Sequence, residues 1–216
     1  MMFLLLVILA FLARAYMVLA SIKKQRDSPE RSTRTPLPIK TLVVLGSGGH
    51  TTEMLQMIQQ LNPKVYDPLI YVIASTDDTS ERRVQALGGR LPSKTYYIPR
   101  SREVGQSYLT SIASTLYAMV FSVWLVLKIR PALLLCNGPG TCLPVAVATL
   151  LFRILGVCQG NLVFVESFCR VESLSLTGRL LYPIADMFVV HWDELHAKFP
   201  RSQTISNFVP NKSKGK

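Results

Sequence analysis

The chain has 216 residues, enough for one α/β domain with short appendages, and it is more apolar than most freely soluble proteins, with 49% hydrophobic residues and a mean hydropathy of +0.29. Its net charge is +11, of which residues 23–40 and 201–216 each carry +4. We exclude nucleic acid as a partner because no zinc-ligand spacing, RNA-binding aromatic motif or basic recognition helix accompanies these charges. Anionic lipid headgroups explain the first basic segment better.

Residues 1–22 predict a transmembrane helix. Arg14 is the one charged residue in this stretch, and about 20 helical residues span the roughly 30 Å of a bilayer core. A cleaved signal peptide is the alternative, but no basic region precedes the apolar stretch, whereas Lys23 and Lys24 follow it. Basic residues on the C-terminal side favour a cytosolic domain and a luminal N-terminus. We therefore predict a permanent single-span anchor.

Residues 23–40 are a basic linker, and alternating strand and helix patterns over residues 41–200 predict one domain, which leaves 201–216 as a basic tail. Repeated βα units give a parallel, Rossmann-like sheet with helices on both faces, and ligands bind at the C-terminal ends of its strands. The predicted strands are 41–45, 69–74, 94–98, 132–136, 162–166 and 187–190. The predicted helices are 51–61, 80–86, 107–129, 141–155 and 175–182.

The helix predicted over residues 107–129 has an almost continuous apolar run from Met119 to Leu127. A second transmembrane span is one interpretation, but polar residues before Leu116 shorten the apolar part. A crossover helix with one face in the domain core and the other against the bilayer fits better.

A glycine turn after the first strand predicts a cradle for phosphate or diphosphate, with His50 at its edge. Glycines let backbone N–H groups face a ligand, and the start of a helix favours negative charge. The turn is neither a P-loop, because no Lys-Ser/Thr pair follows it, nor a dinucleotide fingerprint, because Thr51 occupies the third glycine position. The predicted cradle residues are Gly46, Ser47, Gly48, Gly49 and Thr51.

Two more loops at the predicted ligand edge can bind anions. Arg100 and Arg102 follow the third strand and can clamp phosphate oxygens, although a solvated or headgroup-facing loop has the same composition. After the fourth strand comes a second backbone anion site or an ordinary βα turn, formed by Asn137, Gly138, Gly140 and Thr141. We predict no metal site, since Asp77 and Asp78 are better placed to cap the following helix.

These segments closely resemble one family over residues 41–200. The segments are LVVLGSGGHTTEML (42–55), IPRSREVGQS (98–107), LLLCNGPGT (133–141), VESFCRVESLSLTG (165–178) and DMFVVHW (186–192). In order and spacing they are similar to the asparagine-linked-glycosylation protein fourteen family. This family provides the membrane-anchor subunit of the UDP-N-acetylglucosamine transferase of dolichol-linked oligosaccharide synthesis.

The resemblance implies the N-terminal, acceptor-side half of a GT-B glycosyltransferase at the endoplasmic reticulum membrane. A separate cytosolic subunit would bind the UDP-GlcNAc donor, so this chain would hold no tightly bound cofactor and would not be active alone. The pair would transfer the second GlcNAc, in β1,4 linkage, to dolichyl-diphosphate-GlcNAc on the cytosolic face.

Inverting transfer needs a base near the attacking sugar hydroxyl, and two residues are candidates. The helix dipole disfavours protonation of His50, which can act as the base or as a diphosphate ligand. Glu166, at the end of the fifth strand, can act if an apolar pocket raises its pKa. A purely structural role for His50 is the third interpretation.

The tail departs from the family pattern, because residues 201–216 are polar and basic where the family implies a hydrophobic ending that docks the partner. Two alternatives to an active subunit follow from this. The chain would be a non-catalytic membrane scaffold, or a non-productive variant with a defective partner-binding tail.

Overall fold

The structure is a computed structural model that describes residues 2–27, 37–86, 92–102, 105–138 and 140–205. Its helices are α1 (Met2–Asp27), α2 (Gly49–Gln59), α3 (Asp78–Ala86), α4 (Tyr108–Ile129), α5 (Cys142–Ile154), α6 (Leu176–Leu181) and α7 (Asp193–Lys198). Its strands are β1 (Thr41–Val44), β2 (Leu69–Ala74), β3 (Lys94–Ile98), β4 (Leu133–Asn137), β5 (Asn161–Val165), β6 (Met187–Val190) and β7 (Gln203–Thr204).

All seven strands are parallel and form one sheet in the order β3-β2-β1-β4-β5-β6-β7. The order reverses between β1 and β4, which pair from Thr41 opposite Leu133 to Val44 opposite Cys136. In an open α/β sheet the crevice above such a reversal is the usual ligand site. The predicted Rossmann-like parallel sheet is therefore confirmed.

The core has two layers because side chains alternate between the faces of a strand. From β1, Val43 joins Met54 and Ile58 of α2 on one face of the sheet. Leu42 and Val44 join α4 and α5 on the other face. The strand β1 is buried throughout, as expected for a central strand of a parallel sheet covered on both sides.

Helix α1 continues to Asp27, five residues beyond the predicted anchor, and its last turns pack on the domain. Val18 and Ile22 are buried there, and the Arg26 guanidinium donates to the carbonyl oxygens of Tyr182 and Ala185. Among the described residues, two helices are long and apolar enough to cross a membrane, Met2–Asp27 and Leu109–Ile129, with mean hydropathies of 2.5 and 1.8. The apolar window is 6% buried in the first and 28% buried in the second.

Helix α4 has the two-faced character that the sequence predicts. Ala118, Leu125 and Val126 are fully or almost fully buried in the domain core, whereas Leu116 and Val120 are exposed. One face of α4 therefore belongs to the core, and the bilayer contact of the other face remains a prediction.

The C-terminal domain boundary predicted at residue 200 falls just before a further strand. Strand β7, at Gln203–Thr204, extends the sheet beyond β6 and lies within the segment predicted to be a tail. Neither β7 nor the six-residue α7 was predicted, because both are too short to show a periodic apolar pattern. Residues 206–216, the rest of that tail, lie outside the described residues.

Candidate functional site

Side chains of α2 and α3 fix the glycine turn after β1 by hydrogen bonds to its carbonyl oxygens. Thr51 and Ser80 donate side-chain hydrogen bonds to the carbonyl oxygen of Gly46, and Arg83 donates to that of Gly48. Gly48 has a φ of 67°, which favours glycine, and it is the N-cap residue of α2. The Thr51 side chain is fully buried, and its hydrogen bond to the Gly46 carbonyl oxygen fixes the turn.

His50, Asn137 and Glu53 form one hydrogen-bonded chain across the crevice between β1 and β4. His50 Nδ1 lies 2.8 Å from Asn137 Oδ1, and Asn137 Nδ2 donates to Glu53 Oε2 at 3.0 Å. Asn137 is fully buried, while the side chains of His50 and Glu53 are 32% and 21% exposed. The asparagine therefore links the imidazole to the carboxylate inside the protein.

The hydrogen bonds among His50, Asn137 and Glu53 select one tautomer of the neutral histidine. Because the amide nitrogen of Asn137 donates to the Glu53 carboxylate, the amide oxygen is left to accept a hydrogen bond from the Nδ1–H of His50. The other ring nitrogen, Nε2, then carries the lone pair. An imidazole oriented in this way can take a proton from a hydroxyl group at Nε2.

Glu166 directly follows β5 and is fully buried. Both of its carboxylate oxygens accept hydrogen bonds from serine residues of the following loop. The backbone N–H of Ser167 donates to Oε1 at 3.1 Å, and the backbone N–H and hydroxyl of Ser175 donate to Oε2 at 2.9 and 3.0 Å. A Cβ on Gly178 would clash with Oε2, so α6 packs directly against the carboxylate. Glu166 thus ties together the two ends of the loop between β5 and α6.

These residues surround a cavity of about 430 Å³, which we call the polar cavity. Its lining combines the glycine turn, the loop after β4 and the loop after β5, the three segments that meet at the carboxyl edge of the sheet. The lining residues are Gly49, His50, Glu53, Gly138, Glu166, Ser167, Cys169, Arg170 and Ser175. Both predicted catalytic residues therefore lie in the same cavity.

The predicted phosphate-binding residues do not converge on one point. Gly49 and Gly138 line the polar cavity, whereas Arg102 and Gly140 line a neighbouring groove. Arg102 also donates to the Gln106 carbonyl oxygen at 2.8 and 3.1 Å. The charge of Arg100 acts on Asp77, and Arg100 is not among the residues that line the polar cavity.

The other members of the predicted set are structural neighbours of the cavity. Gly46 and Ser47 lie in the turn after β1, and Thr141, 6% exposed, precedes α5. The Asn137 side chain contacts His50 and Glu53. Which of the predicted residues bind diphosphate remains a prediction.

His191 is a candidate residue that the sequence analysis missed. It follows β6, so it emerges at the same edge of the sheet as Glu166. Burial lowers the pKa of His191, and the neighbouring Glu53 and Glu166 offset only part of this effect, so the imidazole is neutral at pH 7. Its buried Nε2 has no hydrogen-bond partner among the described residues. The signal in the sequence was a histidine directly after a predicted strand.

The cap predicted for α3 is confirmed. The Asp77 carboxylate accepts hydrogen bonds from the Ser80 backbone N–H at 3.1 Å and from the Ser80 and Thr79 hydroxyls. Burial would raise the pKa of Asp77, but these hydrogen bonds and the charge of Arg100 outweigh it, and the net shift is downward. Across the described ranges, no group of three or more His, Cys, Asp or Glu side chains is arranged to hold a metal ion.

Comparison with known proteins agrees with these features. Residues 41–208 match the family model "Oligosaccharide biosynthesis protein Alg14 like". The mouse protein named UDP-N-acetylglucosamine transferase subunit ALG14 is 46% identical over 182 residues, covering 79% of this chain and 83% of the relative. The Candida albicans protein of the same name is 40% identical over 197 residues, covering 90% of this chain and 89% of the relative.

Among solved structures, a UDP-N-acetylglucosamine 2-epimerase superposes with a TM-score of 0.52 at 12% identity. The match covers 76% of this chain but only 43% of the epimerase, which supports the GT-B-like fold and nothing about activity. Since the family model spans most of the chain and the named relatives share 40% or more of their aligned residues with it, the chain belongs to the Alg14 family.

Proposed function

We propose that this chain is the membrane-anchored, acceptor-side subunit of a heteromeric UDP-N-acetylglucosamine transferase. The observation that carries the proposal is the polar cavity, in which an oriented His50 faces the carboxyl edge of the sheet in a chain of the Alg14 family. The transferase-subunit name of the relatives supplies the reaction class.

The proposed reaction adds the second GlcNAc, in β1,4 linkage, to dolichyl-diphosphate-GlcNAc. The 4-hydroxyl oxygen of the acceptor sugar bonds to the anomeric carbon of the donor, and the bond from that carbon to the UDP oxygen breaks. The hydroxyl proton moves to His50 Nε2, and UDP leaves with the bonding electrons. The configuration at the anomeric carbon inverts.

His50 suits the role of base better than Glu166 for a geometric reason. The hydrogen-bonded chain through Asn137 leaves Nε2 as an acceptor, while both Glu166 oxygens already accept hydrogen bonds from the chain. Glu166 is therefore assigned to holding the 167–175 loop that lines the cavity. An orienting partner for the base is the usual arrangement in proton-transfer sites.

The donor UDP-GlcNAc is assigned to a separate cytosolic subunit. The described domain contains one Rossmann-like sheet. Binding both the UDP-GlcNAc donor and the lipid-linked acceptor requires a second domain of similar size. No tightly bound cofactor is needed by this scheme. The carboxyl edge of the sheet would face the partner and the acceptor.

The proposed reaction takes place on the cytosolic face of the endoplasmic reticulum membrane, and the apolar N-terminal helix supports the membrane location. Residues 2–12 of α1 are exposed and apolar, and Lys23, Lys24 and Arg26 follow on the domain side. Positive residues remain on the cytosolic side during insertion, so the domain would be cytosolic.

The test is transfer of labelled GlcNAc from UDP-GlcNAc to dolichyl-diphosphate-GlcNAc by membranes that carry this chain with and without the donor-binding subunit. We expect activity only with both chains. His50→Ala should lower kcat by about 10²-fold or more, the usual contribution of a general base. His196→Ala is the matched control, because this half-buried histidine lies on α7 and pairs with Ser202.

Two outcomes would overturn parts of the proposal. Full activity of His50→Ala would remove its role as the base and favour a membrane scaffold. If the two subunits together are inactive, and activity returns when the tail of this chain is replaced by the C-terminal ending of a relative, the chain is a non-productive variant.

A further inference from the structure

A second cavity, of about 360 Å³, lies between α4, α5 and α6, and we call it the apolar groove. Most of its wall consists of aliphatic side chains, half-buried or exposed in the structure. They are Ile112, Leu116, Leu143, Leu176 and Leu180. No residue of the polar cavity is among them, so the groove is a separate compartment with different chemistry.

The apolar groove adjoins the polar cavity through two short segments. In the loop after β4, Gly138 lines the polar cavity and Gly140 lines the groove. At the start of α6, Ser175 lines the polar cavity and Leu176 lines the groove. The residues that line the two compartments are thus only one or two positions apart in the sequence, so a ligand with a polar head and an apolar chain can occupy both.

The groove has a polar end at Ser101 and Arg102. The hydroxyl of Ser101, a residue only 1% exposed, has no hydrogen-bond partner among the described residues. Its carbonyl oxygen accepts hydrogen bonds from Ser114 and Thr115 of α4 at 2.7 and 3.2 Å, which fixes the residue against the groove. A buried hydroxyl without a partner is costly, and an anionic oxygen of a ligand would remove this cost.

At its outer side the groove opens onto an exposed apolar strip of α4. Ile112, Leu116, Val120 and Trp124 recur every four residues and are 55–67% exposed. Lys128 lies 4.6 Å from the Trp124 ring at the end of the strip. An apolar strip with an aromatic and a basic residue at its end is typical of a membrane interface.

We infer that the apolar groove binds the first few isoprene units of a polyisoprenyl diphosphate, with its phosphates near Ser101 and Arg102 and its sugar in the polar cavity. The inference deepens the proposed function and rests on it, since the acceptor is a lipid diphosphate. Methyl-branched chains fit an aliphatic groove, and the remaining chain leaves the groove directly for the bilayer. The groove thereby presents the sugar to His50 at a constant distance from the membrane.

The first test compares two substitutions on the same helix. Leu116 and Val120 are 62% and 67% exposed, but only Leu116 lines the groove. In the two-subunit enzyme, Leu116→Gln should raise KM for dolichyl-diphosphate-GlcNAc about five-fold, and Val120→Gln should leave KM unchanged. With the methyl ester of diphospho-GlcNAc, which has no lipid chain, both variants should resemble the parent chain.

The second test measures binding without activity. Leu116→Cys and Val120→Cys variants are labelled with a maleimide in detergent, and the labelled peptide is quantified by mass spectrometry. Farnesyl diphosphate should slow labelling at position 116 and leave position 120 unaffected. Inorganic diphosphate should protect neither position, because it lacks the chain.

The outcomes separate this inference from the proposed function. If position 116 is protected but the unsubstituted chain with its donor-binding subunit transfers GlcNAc to no acceptor, lipid binding in the apolar groove is supported and the proposed transferase function is refuted. Equal increases in KM for both glutamine variants, or equal protection at both positions, would mean that ordinary bilayer lipid covers the whole strip and would overturn the inference. Transfer by the parent pair with no difference between the variants would also overturn it.

Discussion

Replacing Gly138 by alanine tests whether the position of His50 matters for activity. Gly138 has a φ of 73°, and an added Cβ would come within 3.0 Å of Cε1, Nδ1 and Cγ of the His50 ring. Carbon atoms in contact are about 3.5 Å apart or more, so the ring must move by roughly 1 Å. The 2.8 Å hydrogen bond between His50 and Asn137 cannot survive this shift.

The expected effects on rate and stability differ in size. A displacement of about 1 Å in a reacting group can lower kcat about 10²-fold. The left-handed backbone conformation costs an alanine about 1–2 kcal/mol, and Tm should fall by a few degrees as a result. Gly138→Ala should therefore lose most of its activity while it remains folded.

Gly156→Ala is the matched control. Gly156 has a φ of 74°, and the nearest atom to an added Cβ is Arg14 Nη2 at 4.0 Å, far from the polar cavity. Both variants therefore carry the same backbone cost, which thermal unfolding in detergent measures. Only Gly138→Ala should lower kcat in the transfer assay with the donor-binding subunit.

A double substitution completes the test. If Gly138→Ala acts through His50, adding it to His50→Ala should cause little further loss of kcat, because the two effects are not additive. Wild-type kcat in Gly138→Ala, at the stability of Gly156→Ala, would refute the reasoning. A full multiplicative loss in the double variant would show that Gly138 acts independently of His50.

Three further predictions concern stability, each measured by urea unfolding. Arg153→Leu should lower the free energy of unfolding by about 3 kcal/mol, because Asp186, 3% exposed, would lose its ion pair at 2.7 Å. Burial lowers the pKa of His191, so below about pH 6.5 the unfolded chain binds more protons than the folded chain. The free energy of unfolding should therefore fall as the pH drops from 7 to 5.5. His191→Gln should reduce this loss of stability. Asp77→Asn should cost about 1 kcal/mol at pH 7, because both carboxylate oxygens accept hydrogen bonds and an amide has only one acceptor oxygen. The hydrogen bonds and charge that lower the pKa of Asp77 confer stability only above the unfolded pKa near 3.9, so this difference should shrink as the pH falls below it.

Each of these predictions has a control and a contradicting result. Arg82→Leu, on the exposed face of α3, should change stability by less than about 0.5 kcal/mol, and an equal effect at both arginines would contradict the ion-pair argument. A pH dependence that persists fully in His191→Gln would assign it to another group. A constant cost of Asp77→Asn from pH 7 to pH 3 would exclude the ionised cap.

Much of the fold could be predicted from local patterns. Apolar runs bounded by glycine and polar residues located the first six strands to within one residue, since a buried parallel strand is a short continuous apolar segment. The boundaries of α2 and α5 moved by one or two residues, because backbone geometry at the caps decides where a helix begins and ends. Strand β7 was missed because two residues carry no period.

The candidate site was predicted only in part. His50 and Glu166 share a cavity, as expected from their position after parallel strands. Arg100 and Arg102 were expected to join them, but Arg100 acts on Asp77 and Arg102 lines the apolar groove. The direction in which a long side chain extends depends on its neighbours in space, which spacing along the chain does not reveal.

The sequence by itself determined the apolar N-terminal helix, the parallel sheet, the glycine turn and the family, because these depend on local composition, period and motif order. Only the tertiary structure decided that Asn137 joins His50 to Glu53, which lie 87 and 84 residues away from it in the sequence. It also decided that the Ser175 backbone N–H donates a hydrogen bond to Glu166. The physical reason is that a hydrogen bond is directional and short, so its partners are settled when β1, β4 and β5 come together in the sheet. The apolar groove arises in the same way, from three helices that meet only after the chain has folded.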